Sequence, residues 1–375
     1  MKVLFINLPY YGHVVPTLGL VHELIKKDCA VTYLLPYDWE DKIKGCGAKF
    51  MGYQNHKQLS EQIKNAYAAA ESIIHNYDLV IYEQFFFLGK HLCEKYKKPV
   101  IRVFSAPATT KQLMNEYIQS KGPLHIFHSK WISKAFTKDI ARGIKLKTDN
   151  WLDEIVYNPP GLNLVYTLKE YQPYYDDFNK ELFKFIGPSI YKKDHQSFDF
   201  KKTKPIIYIS LGTIIKGAKS FFQNCIEAFR NENVDVIISV GQQFDIRKLK
   251  NIPSNIHIYH FVPQTQVLEI ADVFVTHGGM NSISEALVTA TPMVVIPFHS
   301  DQPINAKSIE TLGVGIKIEY KDIDSNTLHN KVMSVLSNNN NKYNLDSIKT
   351  LIDKSPGNEG AVNIIIDYFN KFNKL

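Results

Sequence analysis

The chain alternates twice between short β-branched runs and helical segments, and this alternation constrains its fold more than any other feature. The first run, Val3-Leu4-Phe5-Ile6-Asn7-Leu8, is apolar almost throughout, as in a parallel strand buried on both faces. The loop Pro9-Tyr10-Tyr11-Gly12-His13 follows, and Pro16 then suits the first turn of a helix. Leu18, Val21 and Ile25 share one face of that helix, and residues 31–35 form the next run. Strand, helix and strand in this order make a βαβ unit, which implies a parallel sheet with right-handed crossovers. Asp78-Leu79-Val80-Ile81-Tyr82, Val100-Ile101-Arg102-Val103-Phe104 and residues 162–166 continue the series.

A second series begins after a polar stretch. Ile206-Ile207-Tyr208-Ile209-Ser210 is closed by Leu211-Gly212-Thr213, and further strands are expected at 236–238, 256–258, 273–275 and 294–296. A chain of 375 residues suits two cores better than one. The expected fold is α/β, with two Rossmann-like, doubly wound domains facing a central cleft. The expected divisions are a first domain at 1–190, a linker at 191–204, a second domain at 205–355 and a C-terminal segment at 356–375, whose residues 361–372 read as an amphipathic helix. Residues 111–150, rich in aromatics, Lys and His, read as helical or loop excursions at the mouth of the first sheet. Asn338-Asn339-Asn340-Asn341 reads as an exposed loop.

Composition narrows the function classes. Hydrophobic residues make up 45% of the chain, enough for two cores, and no stretch approaches the roughly 20 apolar residues that span a bilayer. The opening residues do not read as a signal peptide, so a cytoplasmic location without stable membrane insertion is expected. The net charge of +7 comes from interspersed signs, with no dense basic tract to suggest nucleic acid, and it would help attract a diphosphate. Cys29, Cys46, Cys93 and Cys225 show neither CxxC nor zinc spacing and read as reduced, buried thiols.

In open α/β sheets, ligands bind beyond the carboxyl ends of the strands, so the loops there carry the chemistry. The richest of them is Thr276-His277-Gly278-Gly279-Met280-Asn281-Ser282-Ile283-Ser284-Glu285. Gly278 and Gly279 make a tight turn and clear the approach path. The helix start that follows offers free N–H groups and a positive dipole end to phosphate. His277, Asn281 and Ser282 add donors for phosphate oxygens, and Glu285, one turn on, can accept from ribose hydroxyls. Standing alone, His-Gly-Gly is an ordinary strand-to-helix turn.

The surroundings decide between these readings. Phe261-Val262-Pro263-Gln264 precedes the loop, and Pro292, Pro297 and Asp301-Gln302 follow it. Together with Gly12-His13-Val14-Val15-Pro16-Thr17-Leu18, Phe185-Ile186-Gly187-Pro188 and Ser210-Leu211-Gly212-Thr213, the pattern resembles the family-one glycosyltransferases, in particular the bacterial macrolide and flavonoid glucosyltransferases. The resemblance covers nearly the whole chain and implies the GT-B fold. It assigns acceptor binding to the first domain and the nucleotide sugar mainly to the second, with the last helix crossing back to the first. It further implies that Phe261 helps form the base pocket where the family often has Trp, and that Gln264 and Glu285 contact the ribose. His277, Asn281 and Ser282 would hold the diphosphate with Ser210 and Thr213 nearby, and Asp301 and Gln302 would read sugar hydroxyls.

His13 stands just after the first strand. Imidazole titrates near ~6.5, so its neutral form is available to take a proton from an acceptor hydroxyl. A carboxylate behind it would fix the tautomer and stabilise the imidazolium. The family uses an Asp after a later strand; the matching position here is Glu83, one methylene longer, so the pair forms from a different backbone distance or does not form. The resulting expectation is an inverting transfer of a hexose, favouring glucose, from a UDP-sugar to a hydroxyl of a small apolar or aromatic acceptor shaped by residues 53–88 and 105–140. No cofactor or metal is expected. Asp322-Ile323-Asp324 reads as a turn and helix cap rather than a metal pair. Competing readings are a nucleotide-sugar epimerase of the same architecture, a non-catalytic binding partner, a lipid-directed transferase and a dehydrogenase. The last is disfavoured because neither glycine-bearing strand end carries GxGxxG.

Overall fold

The computed structural model describes residues 1–120, 122–191, 197–212 and 219–374. The chain divides into two compact units: residues 1–191 together with 355–375, and residues 192–354.

The first unit is built on a seven-stranded parallel sheet. In chain order its strands are β1 (Lys2–Ile6), β2 (Ala30–Pro36), β3 (Lys49–Tyr53), β4 (Leu79–Glu83), β5 (Val100–Phe104), β6 (Leu162–Val165) and β7 (Phe183–Phe185). Their spatial order is β3-β2-β1-β4-β5-β6-β7. Successive side chains of the central strands point to opposite faces, and each face has its own core. Val3 and Phe5 of β1 and Leu79 and Ile81 of β4 enter one core, while Leu4, Ile6, Val80 and Tyr82 enter the other. This two-sided burial is why these runs lack polar alternation. The helix Gly357–Phe372 closes the first core through Ala361, Val362 and Ile365, and its start is tied down by Gly357 N–H to the Ile186 carbonyl and by Ser189 Oγ to Asn358.

The second unit carries a six-stranded parallel sheet of β8 (Ile206–Ser210), β9 (Asp235–Ser239), β10 (Ile256–Tyr259), β11 (Val273–Thr276), β12 (Met293–Val295) and β13 (Gly315–Lys317), ordered β10-β9-β8-β11-β12-β13. In each sheet the order reverses at one point, between β1 and β4 and between β8 and β11. Loops leaving the two strands of such a point diverge and open a crevice between them. The sequence places Gly12-His13 and Glu83 at or just beyond the ends of the first pair of strands, and Ser210-Leu211-Gly212 and His277-Gly278-Gly279 at or just beyond the ends of the second.

Three strands were not expected from the sequence: β3, β7 and β13. All lie at sheet edges, and two are only three residues long. An edge strand needs no continuous apolar run, so the signal that marks central strands is missing there. The first helix also starts earlier than expected, at Tyr11, which puts Gly12 and His13 in its first turn and Pro16 inside it. Pro16 offers no N–H to the helix, and the Tyr10 carbonyl opens the helix by accepting from both His13 and Val14. Asn338-Asn339-Asn340-Asn341 is not a loop but opens the helix Asn339–Lys354, where the Asn338 side chain accepts from Asn340 N–H and Asn341 is buried. No helix among the described residues is long and apolar enough to cross a membrane. The four cysteines are free and buried.

Candidate active site

In the first unit the site is built on three neighbouring strand ends. Asn7, fully buried just past β1, donates from Nδ2 to the His13 carbonyl and to Tyr33 Oη and accepts from Leu8 N–H, which fixes the turn into the helix. His13 Nδ1 then lies 2.8 Å from Oε1 of Glu83, the last residue of β4. The extra methylene of Glu is thus accommodated. Glu83 is completely buried, and donors meet both of its oxygens: His13 and Ser105 Oγ (2.9 Å) at Oε1, and Phe85 N–H (3.0 Å) at Oε2. These bonds offset the cost of burying a carboxylate. An ionised carboxylate only accepts, so the His13 proton sits on Nδ1 and the basic lone pair resides on Nε2. The imidazole is 23% exposed and packs edge-on against Phe85, at 4.8 Å between ring centres. At Gly12 an added Cβ would meet nothing within 4 Å, so open space lies beside the residue that precedes His13.

In the second unit β11 leads into His277-Gly278-Gly279, and the helix Met280–Val288 begins directly after these residues. Gly278 takes a φ of +84°, which a side chain would disfavour. The His277 ring is pressed between two glycines: a Cβ at Gly212 would come within 2.7 Å of its Cε1 and one at Gly279 within 2.5 Å of its Nε2. His277 is only 7% exposed and its Nδ1 has no hydrogen-bond partner. Burial, helped by the neighbouring His299, holds its pKa down at about 4, so the ring is neutral at pH 7. Gly279 supplies no side-chain cap, and the first-turn N–H groups of the helix have no intrahelical acceptor. Asn281 is half-buried on that turn.

One turn further, Glu285 accepts from Gln264 Nε2 at 2.6 Å, Ser282 Oγ lies 3.1 Å from the same amide, and Tyr208 Oη donates to Gln264 Oε1 at 3.2 Å. Burial pushes the Glu285 carboxyl up to about pKa 7 despite the Gln264 hydrogen bond. Val262 is buried, whereas Phe261 is 66% exposed and presents its ring to solvent. Ser210 ends β8 and accepts from Gly212 N–H; Thr213 lies outside the described residues.

The chain matches the family model described as UDP-glucoronosyl and UDP-glucosyl transferase over residues 193–358, close to the extent of the second unit. It is 31% identical to NDP-glycosyltransferase YjiC of Bacillus subtilis (strain 168), over 98% of this chain and 97% of that protein. It belongs to the family-one glycosyltransferases. Two solved structures, each 24% identical and matched over 98% of both chains, share its fold: the glycotransferase of kitacinnamycin (TM-score 0.84) and the calicheamicin glycosyltransferase CalG4 (TM-score 0.83). The fold is GT-B, and the enzyme is a glycosyltransferase that uses a nucleotide-sugar donor. Such relatives do not favour the epimerase reading.

Within this glycosyltransferase the residues singled out from sequence fall into clusters that the strand ends explain. His13 and Glu83 meet, Gln264, Ser282 and Glu285 meet, and Gly212, His277 and Gly279 stack. Ser282 stands with the Gln264–Glu285 pair rather than apart from it. Gln302 differs from expectation in part: its Oε1 accepts from Phe298 and His299 N–H, so half of the amide is committed to holding the loop after β12. Asp301 accepts from Asn305 Nδ2, which also donates to the Gly278 carbonyl and so ties the Asp301 turn to the His277 loop. Sequence reading missed Asn305, Ser105 and Tyr208. Asn305 and Ser105 carry no motif signal, and Tyr208 looks like a core strand residue. Among the described residues no group of three His, Cys, Asp or Glu side chains is placed to hold a metal. Asp324 caps the helix Ser325–Leu336 by accepting from Thr327 N–H at 2.7 Å, which suits a turn rather than a metal pair.

Proposed function

We propose that the enzyme transfers glucose from UDP-glucose, with inversion, to a hydroxyl of a small apolar or aromatic acceptor, and that it needs no metal ion. The observation that carries this reading is the 2.8 Å bond between His13 and the buried Glu83, which puts the basic lone pair on Nε2. Neutral His13 takes the acceptor's hydroxyl proton as the oxygen attacks the anomeric carbon from the face opposite the diphosphate. The bond from that carbon to the diphosphate oxygen breaks, and the developing charge on the leaving group is met by neutral hydrogen-bond donors: the His277 ring, Asn281 and the N–H groups opening the helix Met280–Val288. The imidazolium left on the base is stabilised by Glu83.

In this reading Gln264 and Glu285 take the ribose hydroxyls, Phe261 offers a face to the uracil, and Asp301 with the free half of the Gln302 amide reads the sugar. Phe85 and Tyr10 beside His13 suit an apolar or aromatic acceptor. The test is incubation with UDP-glucose and a panel of phenols and macrolides in EDTA, following UDP release, acceptor mass and the anomeric configuration of the product by NMR. A β-linked hexose formed in EDTA supports the reading. Product with retained configuration, or activity that EDTA abolishes, overturns it.

A further inference from the structure

We propose that Ser105 is a positioning residue of the base, setting the carboxylate of Glu83 and through it the basicity of His13. This rests on the assignment of His13 as base. Ser105 directly follows β5 and is buried. Its Oγ is 2.9 Å from Glu83 Oε1 and 2.9 Å from His13 Nδ1, closing a triangle with the 2.8 Å His13–Glu83 bond. Strand register accounts for the meeting. Glu83 is paired with Val103, and Ser105, two residues on, points to the same face of the sheet as Val103.

Counting protons fixes the direction of each bond. The carboxylate only accepts, and the Nδ1 proton is directed at it. The single Ser105 proton therefore goes to Glu83 Oε1, with the Ser105 lone pairs left facing the imidazole N–H. This is not the arrangement of a nucleophilic serine, in which hydroxyl and acid use different ring nitrogens. Here both address Nδ1, and the lone pair used by the acceptor is on the other nitrogen.

Two consequences follow for a chain that carries Glu where an Asp would be shorter. Glu has one more torsion, and its terminal torsion is broad, so a donor on each oxygen is needed to hold Oε1 on His13. Phe85 N–H holds one oxygen and Ser105 the other. The Ser105 bond also keeps Oε1 turned towards the imidazole, so the carboxylate charge faces the imidazolium that forms.

The experiment compares Ser105→Ala, Ser105→Thr and His13→Ala in the full-length enzyme, measuring kcat, the pH profile of kcat/KM, UDP affinity and Tm. Loss of one hydrogen bond to a charged group predicts a fall in kcat of about tenfold or more in Ser105→Ala. The acid limb of the profile should move to lower pH, because a carboxylate no longer held on His13 stabilises the imidazolium less. UDP affinity should not change, and Thr, which keeps the hydroxyl, should restore both kcat and the acid limb. Wild-type kcat and an unmoved acid limb in Ser105→Ala overturn the proposal, as does a Thr variant as impaired as the Ala variant. An active His13→Ala enzyme overturns the base assignment itself. An inactive one beside an unperturbed Ser105→Ala overturns only the role of Ser105.

Discussion

His13 and His277 occupy corresponding places in two separate parallel sheets, each just beyond a strand at the point where strand order reverses, yet they are chemically opposite. His13 is partly exposed and backed by a buried carboxylate that sets its tautomer. His277 is enclosed by glycine backbone, has no partner at Nδ1 and is held neutral with a pKa of about 4. Topology set the positions, and environment set the chemical character of each ring. A carboxylate behind an imidazole stabilises its protonated form and suits a base. Burial penalises that form and leaves a neutral ring.

The largest test of this contrast is His13→Ala. A general base contributes roughly 10²–10⁴-fold, so kcat should fall by about 10³ while UDP binding, measured by calorimetry, stays as in wild type. A comparable loss of UDP affinity would show that the two histidines share one function. Next comes Glu83→Gln. Each Glu83 oxygen already faces a donor, so the amide NH₂ must oppose Phe85 N–H or the His13–Ser105 pair. A fall in kcat of about 10²-fold is expected, with Tm lowered as well.

His277→Ala should act the other way round. UDP affinity should drop by about tenfold, the worth of one hydrogen bond to a charged group, with less change in kcat at saturating donor. Because a diphosphate favours the imidazolium, UDP binding should also raise the His277 pKa from about 4, visible by NMR titration and absent from His13. The same low value has a stability consequence. Below the unfolded-state pKa of about 6.5 the unfolded chain binds a proton that the native ring refuses, so His277 costs stability progressively as pH falls from about 6.5 towards 4.

The smallest effect is expected at Glu285, whose carboxyl is raised to about 7. A raised acid stabilises the fold below its unfolded pKa, and that contribution is lost as pH rises through about 7. Glu285→Gln should therefore flatten the decline of Tm between pH 5 and pH 8, read by calorimetry at a series of pH values. An unchanged slope would mean that the Glu285 carboxyl is better solvated than its place beside Gln264 suggests.

Much of this molecule is legible in its sequence. The central strands β1, β4, β5, β8, β9 and β11 announce themselves because burial on both faces demands continuous apolar runs. The His277-Gly278-Gly279 loop is legible because a tight turn before a helix start demands glycine. Strands β3, β7 and β13 were hidden because an edge makes no such demand. Gln302 was legible as a residue but not in its divided engagement, since nothing in a linear pattern says which half of an amide a backbone N–H will occupy.

The sequence by itself determined two α/β units, which follow from periodicity acting over a few residues, and its motifs carried the resemblance to the family. Only the tertiary structure decided that Glu83 reaches His13 despite its extra methylene, that Ser105 completes their triangle, and that His277 is neutral. Each of these depends on groups 22 to 92 positions apart in sequence, or on glycine backbone closing over a ring. Hydrogen-bond geometry and desolvation are set by neighbours in space, and the parallel sheet supplies those neighbours by bringing distant strand ends side by side.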